Sequence, residues 1–224
     1  HDIDISEGGN IVVYSTDHRN LNDSSSNRLT DIVRLDIDSN EHKLITKKYL
    51  DGTELEDRSK QPDCSSDCNY IVYITSGSDV LPEYFLSDSV VIYDHNLNTI
   101  SIVSYNLGNS SIAGQTHTPS VSDDGRYVAY AISNSFQVVE QQLNGRSHII
   151  LRDRLEETNT LVSKSFDNLA SNGFSYAPSI TPDGKYVIFS SSSSNIVSND
   201  TNNRADIFLY DIAKDKSYLL SKNY

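Results

Sequence analysis

Short apolar runs rich in Val, Ile and Tyr recur along this chain, separated by stretches of Asp, Asn, Ser and Gly. Runs of that length bounded by turn formers predict strands, not helices. In the most regular stretch, Ser179 to Thr181 is a first strand and Pro182 to Lys185 a tight turn, with Gly184 where positive φ is needed. Tyr186 to Ser190 is the returning strand. A polar loop, Ser191 to Ala205, leads to a third strand over Asp206 to Tyr210. A turn over Asp211 to Asp215 and a fourth strand over Ser217 to Ser221 complete a four-stranded antiparallel meander without a helix.

The pattern occurs four times. Pro119 to Tyr130 matches Pro178 to Phe189 at an offset of 59. The second copy runs from Pro62 through Cys64 and Cys68 to Tyr73, and the first and most degenerate from Ile3 through Gly9 to Tyr14. An Asp closes the third strand of each copy, at Asp36, Asp94, Asp153 and Asp211, spaced by 58, 59 and 58. The other third strands read Asp31 to Leu35, Ser89 to Tyr93 and His148 to Arg152; the other fourth strands read Lys43 to Thr46, Ile100 to Ser104 and Thr160 to Ser163. Such a sheet has two faces to bury, and tandem copies bury them by stacking around an axis. The expected fold is all-β, a β-propeller of four four-stranded antiparallel blades. One domain spans residues 1–224, with repeats near 1–50, 60–106, 117–165 and 176–224. The expected arrangement is a ring closed within one chain. With no strand left to pair across the termini, closure must rest on packing of the first blade against the last. The alternatives are an eight-bladed ring of two chains, or a polymer grown through exposed edges.

Pro178-Ser179-Ile180-Thr181-Pro182-Asp183-Gly184-Lys185-Tyr186-Val187, followed by Asn199-Asp200-Thr201-Asn202, then Asp206-Ile207-Phe208 and a strand ending Leu219-Leu220-Ser221, resembles the TolB-type, WD-like propeller repeat of exported bacterial proteins. The third copy keeps the first half, but His148 stands where Asp206 opens the third strand. The first copy keeps Asp31, the second has Ser89, and their Asp-Gly turns become Gly8-Gly9 and Asp67-Cys68. The resemblance covers the whole chain and implies a fold shared by binding platforms, envelope assembly partners and appendages of peptidases.

With 18 basic and 31 acidic residues the net charge is −13, and no basic run occurs. That excludes a nucleic-acid partner, which needs clustered Lys and Arg. No stretch approaches the roughly 18 apolar residues of a membrane span. The chain has no Met and starts at His1, so a leader or upstream segment is expected to precede it. Asn and Ser are abundant, which fits a secreted, extracellular or periplasmic protein. Asn22-Asp23-Ser24, Asn109-Ser110-Ser111 and Asn199-Asp200-Thr201 are glycosylation acceptors in a eukaryotic source.

Cys64 and Cys68 are the only cysteines, and they occupy the two sides of the first hairpin turn of copy two. Residues facing across such a turn sit near the Cα spacing a disulfide prefers, so a clip is expected, with zinc or redox use as the rival. So short a loop adds only about 1 to 2 kcal/mol by chain entropy. Asp200, Asn202 and Asp206 have oxygen ligands that could wrap calcium; the competing reading makes Asp200 and Asn202 turn residues and lets Asp206 fix the start of the third strand. The Asn22-Asp23-Ser24 loop with Asp31 is a weaker case. No other cofactor is expected. Gly173-Phe174-Ser175-Tyr176-Ala177 has the outline of a nucleophile elbow but lacks the following helix. Ser122-Asp123-Asp124-Gly125 outlines an Asp-box and reads as a turn. His117 and Tyr176 both precede a strand-opening Pro by two residues, which places them at one mouth of the ring if first strands line the axis. No catalytic residues are expected. The chain reads as a non-catalytic module binding a protein, a glycan or copies of itself. A subunit of an extracellular filament, and a hydrolase, lyase or peptidase accessory domain, are the alternatives.

Overall fold

The computed structural model describes residues 2–17, 30–47, 58–80, 88–108, 115–133 and 138–221. They form four antiparallel sheets of four strands in simple meander order. Blade one holds β1 (Ile3–Ile5), β2 (Ile11–Thr16), β3 (Asp31–Asp36) and β4 (Glu41–Leu44). Blade two holds β5 (Ser59–Cys64), β6 (Tyr70–Thr75), β7 (Ser89–Asp94) and β8 (Thr99–Ile102). Blade three holds β9 (Gln115–Val121), β10 (Tyr127–Ser133), β11 (Ser147–Asp153) and β12 (Thr158–Leu161). Blade four holds β13 (Ser175–Ile180), β14 (Tyr186–Ser191), β15 (Asp206–Asp211) and β16 (Lys216–Leu219). A single 3-10 turn, Ser78–Val80, is the only helical element among the described residues. His1, His18, Asn22 to Ser24 and Asn109 to Ser111 lie outside them.

Two local devices are repeated in every blade. At the first hairpin, the hydroxyl of Ser6, Ser65, Ser122 or Thr181 accepts the N–H of the residue five on, at Ile11, Tyr70, Tyr127 and Tyr186. The left-handed position of that turn is Gly9, Cys68, Gly125 and Gly184 in the four blades. At the far end, the hydroxyls of Thr46, Ser104, Ser163 and Ser221 accept the N–H of Ile32, Val90, Ile149 and Ile207. The Ser or Thr expected inside the fourth strand thus stands beyond it as a cap, and those strands begin one or two residues and end two residues earlier than the apolar pattern indicates. First strands instead begin upstream of their Pro, at Ser59, Gln115 and Ser175, and pass through a bulge at left-handed Gln61, Thr118 and Ala177.

Three apolar cores hold the blades together. Val13, Ile32 and Ile45 meet Ile71, Tyr73 and Val91 between blades one and two. Val72, Val90 and Ile92 meet Val128, Tyr130 and Ile150 between two and three. Ala129, Ile149 and Leu151 meet Val187, Phe189 and Phe208 between three and four. Among the described residues no core joins blade four to blade one, and no strand of one packs on a strand of the other. The expected closure within one chain is therefore not seen among the described residues, whose four blades run as an open series.

Candidate functional site

The first strands are the innermost, each packing on the first strand of the next blade. A side chain near the end of each crosses to the backbone of its successor. Asp4 accepts the N–H of Cys64, Asp63 that of Val121, and Ser120 that of Ile180, all one repeat apart. A parallel rung uses the bulges: Asp2 accepts from Gln61 N–H, and the Gln61 side chain from Thr118 N–H. A bulge turns an N–H out of the ladder, and a buried N–H needs an acceptor, so the predecessor blade supplies one. Burial, and then the neighbouring Asp4 carboxylate, push the Asp63 carboxyl up to about 7. These axial residues escape a motif search because the position is Asp, Asp and Ser in turn; their shared place, one residue before the strand-ending apolar side chain, is the only sequence signal they carry.

The expected mouth residues lie at equivalent places on neighbouring inner strands but meet different partners. His117 is half-buried on β9; desolvation, then Lys60, lower its pKa against an opposing Asp88. Lys60 and Asp88 pair at 2.6 Å. Tyr176 is exposed on β13 and stacks on Phe174 with ring centroids 6.2 Å apart. His148, fully buried, faces Asn144 through Nε2 and the Ser163 hydroxyl through Nδ1. Desolvation drives its pKa down to about 4, so it is neutral and structural.

Cys64 and Cys68 are joined by a disulfide, with Cα atoms 4.9 Å apart. It spans the turn whose left-handed residue is Gly in the other three blades. Asp206 accepts the Ser221 hydroxyl at the opening of β15, while Asp200 and Asn202 accept the N–H of Asn202 and Arg204 in local turns. Asp200 and Asp206 each keep one buried carboxylate oxygen without a hydrogen-bond donor, the kind of atom a hard cation uses. No group of three or more His, Cys, Asp or Glu suited to a metal occurs among the described residues. Ser175 of the elbow-like segment is buried and hydrogen-bonded to Ser191, and Gly173 leaves no space for a Cβ against the backbone of Ser192 and Ser193.

The least ordinary surfaces are the outer faces of the two end blades. On blade four, Ile188 and Ile207 are 39% and 41% exposed beside Leu209, Tyr218 and Leu220. The cross-strand pairs Ile188–Leu209 and Leu209–Tyr218 make them one face. On blade one, Ile3 and Ile5 are 70% and 54% exposed and pair with the half-buried Tyr14 and Val12. Blades two and three bury both faces. A row of aliphatic and aromatic side chains on one sheet face is what packs against another sheet, and it offers no nucleophile, acid or base.

No protein-family model matches the chain, and no curated protein matches it by sequence. Its similarity is to solved propeller structures. TolB from Acinetobacter baumannii superposes with a TM-score of 0.56 at 13% identity, over 98% of this chain and 43% of that one. A putative TolB from Agrobacterium tumefaciens gives 0.59 at 16% identity, over 97% and 63%. The β-propeller domain of the Trilobed protease from Pyrococcus furiosus, described as having an open velcro topology, gives 0.55 at 11%, over 100% and 57%. The fold is thus a TolB-type β-propeller, and the chain spans about half the length of these neighbours. All four blades fit at once on little more than half of a propeller domain, in keeping with an open arc.

Proposed function

We propose that this chain is a non-catalytic assembly or binding module of an exported protein, working through the uncovered outer faces of its end blades. The observation that carries the reading is the contrast between those faces and the equivalent ones inside the arc. Ala129 and Ile149, with a neighbouring blade beside them, are buried, while Ile188 and Ile207, at the same repeat positions without one, remain in water. Burying an Ile is worth about 1.5 to 3 kcal/mol, so a face of several favours a partner. The disulfide fits an oxidising compartment such as the periplasm or the cell exterior. The groups with strongly displaced pKa that a catalyst would use are already engaged in structure: Asp63 links two blades, and His148 is sealed in blade three.

The test is the paired substitution Ile188→Lys with Ile207→Lys. In dilute protein the parent chain binds an apolar fluorescent dye, and the variant loses most of that signal with an unchanged melting temperature and far-UV spectrum. A variant that binds dye as well as the parent overturns the reading.

A further inference from the structure

The approach to the third strand is built alike in blades three and four. Asn144 and Asn202 each turn the side-chain oxygen onto the N–H two residues on, at Arg146 and Arg204. The residue between is left-handed in both, at Gly145 and Asn203. The cap hydroxyl that accepts the N–H of Ile149 or Ile207 also touches the residue opening the strand, which is His148 in blade three and Asp206 in blade four. Each of these pairs is 58 residues apart, so the two loop ends superimpose position by position.

Two exchanges separate them. His148 continues from the cap to the loop, with Nε2 3.0 Å from Asn144 Oδ1. An amide oxygen only accepts, so Nε2 carries the proton and the ring bridges strand to loop through an N–H. A carboxylate is shorter and has no proton to give. Asp206 Oδ1 accepts the Ser221 hydroxyl, and its Oδ2 is buried without a donor. At the place of the exposed Gln142, blade four has Asp200, whose Oδ1 accepts the Asn202 N–H and whose Oδ2 is likewise buried without a donor. Asp200 and Asp206 are 8% and 4% exposed. Carboxylate oxygens taken out of water without donors are costly unless a cation meets them. Blade four therefore loses the bridging ring and gains two buried acceptors on the same loop.

We propose that this loop binds a calcium ion through Asp200 and Asp206, with the Asn202 side-chain oxygen as a third ligand, where blade three places the His148 ring. Asn202 Oδ1 has a second lone pair beyond the one that takes the Arg204 N–H, and the residue is exposed, which leaves a path from solvent. The donors are all oxygen, which selects a hard cation over zinc or copper. A loop offering carboxylates and an amide oxygen suits the adaptable shell of calcium better than the strict octahedron of magnesium. Two carboxylates make a weak site, with a dissociation constant of about 10⁻⁴ to 10⁻³ M, the range of extracellular modules. The bound ion ties the loop to the opening of β15, the task His148 performs in blade three.

The experiment measures the melting temperature of the full chain, native disulfide intact, in chelator, in millimolar calcium and in magnesium at the same concentration. Calcium should raise it by a few degrees and magnesium by much less. By titration calorimetry, Asp206→Asn and Asp200→Asn should each weaken calcium binding by about tenfold or more. Should one of the two fail to fold, the other carries the test. Asp206→His, which copies blade three, should lose the calcium response and melt in chelator no lower than the parent, because the ring restores the bridge to the loop. Equal shifts with calcium and magnesium would mean only that cations screen a net charge of −13, and would overturn the proposal. Parent-like calcium affinity in Asp206→Asn or Asp206→His would overturn it too, as would a parent chain that binds no calcium at millimolar concentration.

Discussion

Blades three and four are built on the same repeat, yet one is core throughout and the other is core on one side. Ile149 of blade three is 0% exposed, and Ile207, at the same repeat position, is 41% exposed. The strand, its caps and its pairing register are shared. The difference is the neighbour. In a stacked array, burial belongs to the place in the stack and not to the blade, so equal residues at equal positions make unequal contributions to stability.

The sharpest way to break that comparison is to truncate the matched pair. Ile149→Ala should lower unfolding stability by about 3 kcal/mol through lost burial and a cavity, and Ile207→Ala by less than about 1 kcal/mol in dilute protein. Denaturant titration followed by tyrosine fluorescence measures both, and equal losses would mean that the face of blade four is covered in solution. The turn glycines provide the next contrast. Gly125→Ala adds a clash with the Tyr70 ring to the strain of φ +67°, and should cost about 2 kcal/mol or more. Gly9→Ala, at φ +73° in open space, should cost about 1 kcal/mol.

Blade two differs from blade three in replacing the turn Gly with a disulfide-bonded Cys68. Reduction should lower the melting temperature by an amount matching about 1 to 2 kcal/mol. Cys64→Val combined with Cys68→Gly, which copies blade three, should recover most of it. Intact mass two hydrogens lighter before reduction than after, and failure to label thiols in the native chain, check the bond itself.

The smallest effect separates the inter-blade links by pH. The first two use the carboxylates Asp4 and Asp63, the third the hydroxyl of Ser120. Asp63 has a folded pKa raised to about 7, so the folded state holds the proton more tightly than the unfolded state. Its favourable contribution is complete at acid pH below the unfolded value and is lost as pH rises through about 7. His148 acts in the opposite sense: lowered to about 4, it contributes above the unfolded value of its ring and loses that contribution as pH falls toward 4. Melting temperatures of the parent chain and Asp63→Asn, measured from pH 5 to pH 8, should diverge in favour of the variant by a few degrees at the alkaline end. Ser120→Ala should shift the curve without changing its slope.

Much of this molecule was legible before any coordinates. The period of about 58 residues, the Asp-Gly turns and the Asp closing each third strand indicated four meanders because hairpins and caps are made by residues a few positions apart. The strand limits were read less well where chemistry is shared between segments. Ser163 looks like the last residue of a strand until its hydroxyl is seen to cap Ile149, 14 positions away. The axial links were not legible at all, because Asp63 and Val121 are 58 residues apart and the linking position is Asp in two blades and Ser in a third. His117 and Tyr176 were placed on matching inner strands by the repeat, but the Lys60 and Asp88 that face His117 come from the neighbouring blade, whereas Tyr176 stacks on Phe174 of its own segment.

The sequence by itself determined the blades, since a strand, a turn and a cap are local choices that each repeat makes for itself. Tertiary structure alone decided how successive blades stack and which faces each junction buries. Those outcomes follow from the angle between neighbouring sheets, which is the sum of many contacts across each junction and is carried by no single residue of the repeat.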